Sequence, residues 1–260
     1  MNNSFIHNTD ASILRIMLFI AMILMVALGK YVGKIWLQEK NEFKGGVNSL
    51  MAAMYALFGF ILAFTFGMSG SRYENVRNIV VLEANNIGTA VLRADLYPDS
   101  VRDAFRADFK NYLEARIAYY DNIADTILFY KAKDDAAKAA EALWSRAMQQ
   151  SKLPNMLIPS NSMVPALNAM FDIATTREVI LKARVPDIIV YMLFILALAS
   201  SFIAGFTSSA IRHKDWIVIT GFALLSSMII YITLDLGRPM RGIIKADLGE
   251  QAIVDLRKMF

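Results

Sequence analysis

The sequence predicts an all-α membrane protein, with four transmembrane helices and a helical domain inserted between the second and third. Three observations carry this. Apolar residues gather in four blocks, two before and two after a long polar stretch. That stretch shows helical spacing and no strand alternation. Hydrophobic residues make up 56% of the chain and charged residues 19%, against roughly 45–50% and 25% in ordinary soluble domains.

A span needs about 20 mostly apolar residues, because the hydrocarbon core is about 30 Å thick. The first block runs from about Ala11 to Val32 with Arg15 near one end. A cleaved signal peptide fits it poorly, since no Lys or Arg precedes Arg15. The second block has no charge between Lys44 and Arg72. The third runs from Ile188 to Ile211, with Pro186 at its opening, and the fourth from Trp216 to Leu234, closing on Asp235. Four divisions follow: helices 1 and 2 over 1–71, a helical extramembrane domain over 72–184, helices 3 and 4 over 185–235, and a tail with a short amphipathic helix over 236–260.

Inside the central domain, Val76, Val80, Ile87 and Val91 recur at helical spacing directly after the second span. Tyr97-Pro98-Asp99 marks a stop and restart, because Pro suits the first turn of a helix. A second helix carries Val101, Phe105, Tyr112, Leu113, Tyr120, Ile123 and Ile127, and an Ala- and Lys-rich helix covers about 133–150. The stretch Ser151–Pro165 holds Pro154, Pro159 and Pro165 and reads as a loop. A last helix covers about 166–184. Central charges nearly balance, as on a solvated bundle. The tail, with Ile253, Val254 and Leu256 among charges, could lie on a membrane or pack on this bundle.

The composition excludes several chemistries. With no Cys there is no disulfide, thiol nucleophile or thiolate metal site, and two His make a His-built zinc site improbable. The sequence has no Gly-rich phosphate loop and no Gly-x-Ser-x-Gly elbow. A dispersed net charge of +4 does not call for nucleic acid. No catalytic residue, metal or cofactor is expected, and the protein is read as a non-enzyme.

Two stripes mark the second span. Ala52, Ala56, Gly59, Ala63, Gly67 and Gly70 recur every three or four residues, so a second backbone can approach closely. Leu57, Ile61, Phe64 and Met68 form another stripe, roughly 130° around the helix. Both could serve helix packing or lipid contact. Alternatively one side packs while Leu57, Ile61, Phe64 and Met68 form the hydrophobic neck of an oligomeric pore. Arg72 and Arg77 follow, either as headgroup anchors or as a basic ring drawing anions to a pore mouth. Glu83, Asn85 and Asn86 interrupt an apolar face and call for helix-to-helix hydrogen bonds. At the end of the fourth span, Asp235, Arg238 and Arg241 read as structural charges pairing at the membrane edge.

These segments resemble the bacterial bestrophin-like domain family. The resemblance rests on Leu57-Phe58-Gly59-Phe60-Ile61-Leu62-Ala63-Phe64, on Tyr73 with Glu83-Ala84-Asn85, and on the Asp235-Leu236-Gly237-Arg238-Pro239-Met240-Arg241-Gly242 motif. True bestrophins share the layout; they are pentameric anion channels whose second transmembrane helix lines the pore and carries a neck. The chain lacks an acidic cluster like their calcium clasp, since Asp134-Asp135 alone supplies too few ligands.

The resemblance and the stripes imply an oligomeric channel for anions or small solutes, with the second helix lining the path. The alternative is a non-conducting scaffold or sensor whose helical domain binds a partner. Expected partners are the lipid bilayer and further copies of the chain, five by analogy, with the permeant ion unassigned. The expected location is a bacterial inner membrane, with both termini and the central domain on one side. Lys30, Lys34, Lys40 and Lys44 in the first short loop, read by charge bias, place that domain outside. The bestrophin layout places it in the cytoplasm, so the side stays open.

Overall fold

The computed structural model describes residues 9–36, 44–122, 125–182, 185–207, 213–237 and 247–260, and every regular element among them is helical. The elements are α1 (Ala11–Trp36), α2 (Lys44–Arg93), α3 (Asp99–Asp121), α4 (Thr126–Ser151), α5 (Leu157–Lys182), α6 (Asp187–Thr207), α7 (His213–Leu236) and α8 (Asp247–Asp255). Helices α1, α2, α6 and α7 are long and apolar enough to cross a membrane. The chain divides into two compact units. One gathers the described residues up to Arg72 and those between 185 and 237; the other gathers Tyr73 to 182 and 247–260. Helix α2 contributes its part through Arg72 to the first unit and the remainder to the second.

In the first unit, Asp10 starts α1 by accepting the Ser12 amide at 2.7 Å on its side chain. Leu14, Leu18 and Met22 of α1 pack with Phe58 of α2, Val190, Leu193 and Ala197 of α6, and Ala223, Ile230 and Leu234 of α7. The tightest seam joins α1 and α6. A Cβ added at Gly29 would overlap the Phe202 carbonyl, one at Gly33 the Phe206 carbonyl, and one at Gly205 the Val26 carbonyl. Bare backbones therefore touch there, as small residues permit between apolar helices in lipid. Three of the buried hydroxyls bond within their own helices. Thr65 donates to the Ile61 carbonyl at 2.7 Å, Ser201 to Ala197 at 2.8 Å and Thr233 to Ile229 at 2.8 Å. This removes the cost of an unpaired polar group in an apolar layer.

In the second unit, one core brings together Ile87 and Val91 of α2, Phe105, Phe109 and Tyr112 of α3, Leu143 of α4, and Met163, Leu167 and Met170 of α5. Helix α4 begins earlier than the Ala- and Lys-rich run. Asp125 caps it by accepting the Ile127 and Leu128 amides at 2.9 and 3.1 Å, which moves Ile127 from the second central helix into α4.

The expected Ser151–Pro165 loop is corrected. A 3-10 turn covers Pro154–Met156 and α5 already starts at Leu157, with Pro165 inside it. Pro159 falls in the first turn, where a missing N–H costs nothing. Pro165 is tolerated because Met163, Leu167 and Met170, on either side, are fully buried. The tail packs on the helices of this unit. Ile253 is buried beside Ile117 and Tyr120, Arg257 grips Glu114 through two bonds of 2.8 and 2.6 Å, and Arg106 donates to the Met259 carbonyl at 2.8 Å.

Candidate functional site

The part of α2 in the first unit has two unlike sides. Phe58, only 4% exposed, meets Phe222 edge-on with centroids 6.4 Å apart, and Tyr55 meets the same ring at 5.3 Å. Thr65 and Ser69 continue this buried side. With Val190, Leu193, Thr233 and Gly237 they line a small pocket among α2, α6 and α7. The other side is left open by the protomer. Leu57 is 45%, Phe60 67% and Phe64 54% exposed.

The neck candidates divide on this geometry. Leu57 and Phe64 point outward, while Ile61 and Met68 are half-buried on the flank, Ile61 against the first unit's core. Phe60 is the most exposed aromatic of the span and was not among the candidates; it lies one turn before Phe64 on the same face. The small-residue stripe is also open. Ala52, Ala56, Gly59, Ala63 and Gly67 are exposed, and a Cβ on Gly59, Gly67 or Gly70 meets nothing within 4 Å. The backbone contacts within the protomer belong to Gly29, Gly33 and Gly205, which the sequence reading did not single out.

The charged candidates separate as well. Arg72 is half-buried and its Nε donates to the Gly237 carbonyl at 3.2 Å, tying α2 to the end of α7. Asp235, two residues earlier on α7, is buried. Arg238 and Arg241 lie outside the described residues. In the second unit, Arg77 stands 4.0 Å from Glu74 in an open pair. Among the described residues, no group of three His, Asp or Glu side chains converges as a metal site would need.

Glu83 is the centre of a buried network in the second unit. Arg116 Nε donates to its Oε1 at 2.6 Å. Its Oε2 accepts from Tyr120 Oη at 2.8 Å and from Arg177 Nη1 at 2.7 Å. Arg116 and Tyr120 are one turn apart on α3, and Arg116 Nη2 also donates to the Tyr120 oxygen. The Arg177 guanidinium carbon sits over the Tyr120 ring, 3.3 Å from its centroid, and the side chain is completely buried. Burial, then the Glu83 carboxylate, pushes the Tyr120 phenol well above its ordinary range, which keeps its proton available for donation. Burial likewise pushes Tyr112 up to about 12.

Helices of membrane-crossing length, together with a second, wholly helical unit holding a buried charge network, define the class: a helical membrane protein. A family model described as the bestrophin-like domain matches residues 16–247, and the chain belongs to that family. The fold is similar to the crystal structure of a bacterial bestrophin homologue from Klebsiella pneumoniae bearing one tyrosine-to-alanine substitution. That match has a TM-score of 0.67 at 13% identity and covers 94% of this chain and 98% of the other. No curated protein matches the sequence.

Proposed function

We propose that this protein is an oligomeric membrane channel for anions or small solutes, with α2 lining the path. The observation that carries the reading is the open apolar face of α2. Leu57, Phe60 and Phe64 are largely exposed in the protomer, although neighbouring Phe58 is buried. Around a symmetry axis, such a face forms a ring of side chains narrow enough to exclude water. An ion entering it loses hydration without gaining ligands, so the ring acts as a gate or barrier. The flank residues Ile61 and Met68 then touch the neighbouring copy, and the small-residue stripe accepts its backbone. Membership of a family that resembles bestrophins supports the same reading.

In this proposal the segment 72–184 stands outside the bilayer between the second and third spans, with both termini on its side of a bacterial inner membrane. Arg72 and Arg77 place positive charge beyond the neck, which favours anions at the mouth.

The test is flux through vesicles containing the purified protein. Phe64→Ala or Phe60→Ala should raise halide flux above wild type by widening and wetting the ring. If wild type and both variants match protein-free vesicles across several anions and cations, the channel reading fails. A non-conducting scaffold whose helical unit binds a partner then replaces it.

A further inference from the structure

The buried network in the second unit carries unequal charge. Two guanidinium groups, Arg116 and Arg177, face one carboxylate, Glu83, and all three are buried. The nearby Lys133–Glu178 pair is neutral as a pair, with the ammonium 2.8 Å from the carboxylate. Among the described residues the network is therefore left with one more positive than negative charge, an arrangement that is costly unless something balances it.

The geometry of Arg177 shows where the balance is missing. Its Nη1 serves Glu83, but its Nε and Nη2 have no acceptor among the described residues. Those two atoms form the side edge of the guanidinium, whose parallel N–H bonds grip carboxylates and other anions. Three other arginines fill that edge. Arg257 uses it on Glu114, Arg106 on Asp95, and Arg116 on Glu83. Stacking on Tyr120 offsets part of the Arg177 charge. It leaves the two in-plane N–H groups unsatisfied, because a ring face accepts only from above. A single spherical ion seated between the two parallel N–H bonds accepts from both, and full burial favours a small one.

We propose that the Nε–Nη2 edge of Arg177 is a binding site for one halide-sized monovalent anion, which neutralises the network and fastens α5 to α2 and α3. The site is independent of conduction, because binding is an equilibrium property of the second unit.

The test uses the full-length protein in detergent with sodium bromide as probe. Crystals grown in bromide should give an anomalous difference peak within hydrogen-bond reach of both Arg177 Nε and Nη2. No density there, or density without anomalous signal, overturns the proposal in favour of a water or a protein acceptor. In solution, bromide should raise the Tm of wild type saturably relative to sodium gluconate at equal ionic strength. Arg177→Lys keeps the charge but loses the fork. It should raise the half-saturating bromide concentration by at least about tenfold, the effect of losing one charge-assisted hydrogen bond. An equal bromide response in wild type and Arg177→Lys would count against the site. Should the variant fail to fold, the bromide peak in wild type still decides. Loss of halide flux alone would bear on the channel reading and not on this site.

Discussion

Two sets of glycines in the first unit occupy opposite situations. Gly29, Gly33 and Gly205 lie where α1 and α6 bring their backbones into contact, and none could hold a side chain. Gly59, Gly67 and Gly70 on α2 face open space, where an added Cβ would meet nothing within 4 Å. The α2 set is the more regular in sequence, yet it does no packing inside the protomer. A stripe of small residues therefore shows that a helix permits close approach, without saying whether the approaching backbone belongs to the same chain. The same contrast of packed and open runs through the aromatics, with Phe58 buried and Phe60 exposed, and through the charges, with Glu83 buried and Glu74 exposed.

The largest expected effect breaks the packed set. Gly205→Leu forces a side chain into the Val26 carbonyl, so α1 and α6 must separate. We expect loss of the folded protein in detergent, read as aggregation on size-exclusion chromatography. A monodisperse, wild-type-like variant would show that the seam is not the tight contact described.

Next comes the charge contrast. Glu83→Ala leaves two buried guanidinium groups without their carboxylate, and breaking one partner of a buried pair costs about 3–5 kcal/mol. The Tm should fall by several degrees or the second unit should fail to fold, while Glu74→Ala, in the open pair with Arg77, should leave Tm within error of wild type. Equal effects at the two positions would erase the distinction.

The open set is probed by Gly59→Leu. The protomer should fold normally, since a Cβ at position 59 meets nothing within 4 Å. Native mass spectrometry in mild detergent should then show a weakened oligomer, because the stripe can no longer accept a neighbouring backbone. An unchanged oligomer would remove this stripe from the subunit contact.

The smallest effect concerns the tail. The Arg257 hydrogen bond holds the Glu114 carboxyl below its ordinary range. A carboxyl depressed in the folded state stabilises above its unfolded pKa and loses that contribution as pH falls through the folded value. Amide protection of 247–260 should thus stay constant above about pH 5 and decline only below the ordinary glutamate value near about 4.3. A decline centred near neutrality would contradict this pairing.

Much of the fold was legible because length and apolarity dictate membrane-crossing helices; α1, α6 and α7 begin and end within a few residues of the apolar blocks, whereas α2 starts with its block at Lys44 and runs on past Arg72 to Arg93. The start of α5 was not legible, because three prolines in fifteen residues outweigh local helical spacing until the burial of Met163 and Leu167 is known. Glu83 announced itself as a polar residue on an apolar face. Its partners did not, since Arg116 is 33 and Arg177 94 residues away and nothing local distinguishes them from surface arginines. Phe60 was passed over because periodicity fixes which residues share a face but not which face the rest of the chain covers.

The central claim is that the open face of α2 lines a conducting path. Single-channel or vesicle flux of Phe64→Ala beside Phe58→Ala tests it most directly, because the two residues lie on the open and packed sides of one helix. The account predicts increased halide flux for Phe64→Ala with the oligomer intact, and lowered protomer stability without that gain for Phe58→Ala. Wild-type flux unchanged by Phe64→Ala and raised by Phe58→Ala, or no flux from any of the three, would contradict it.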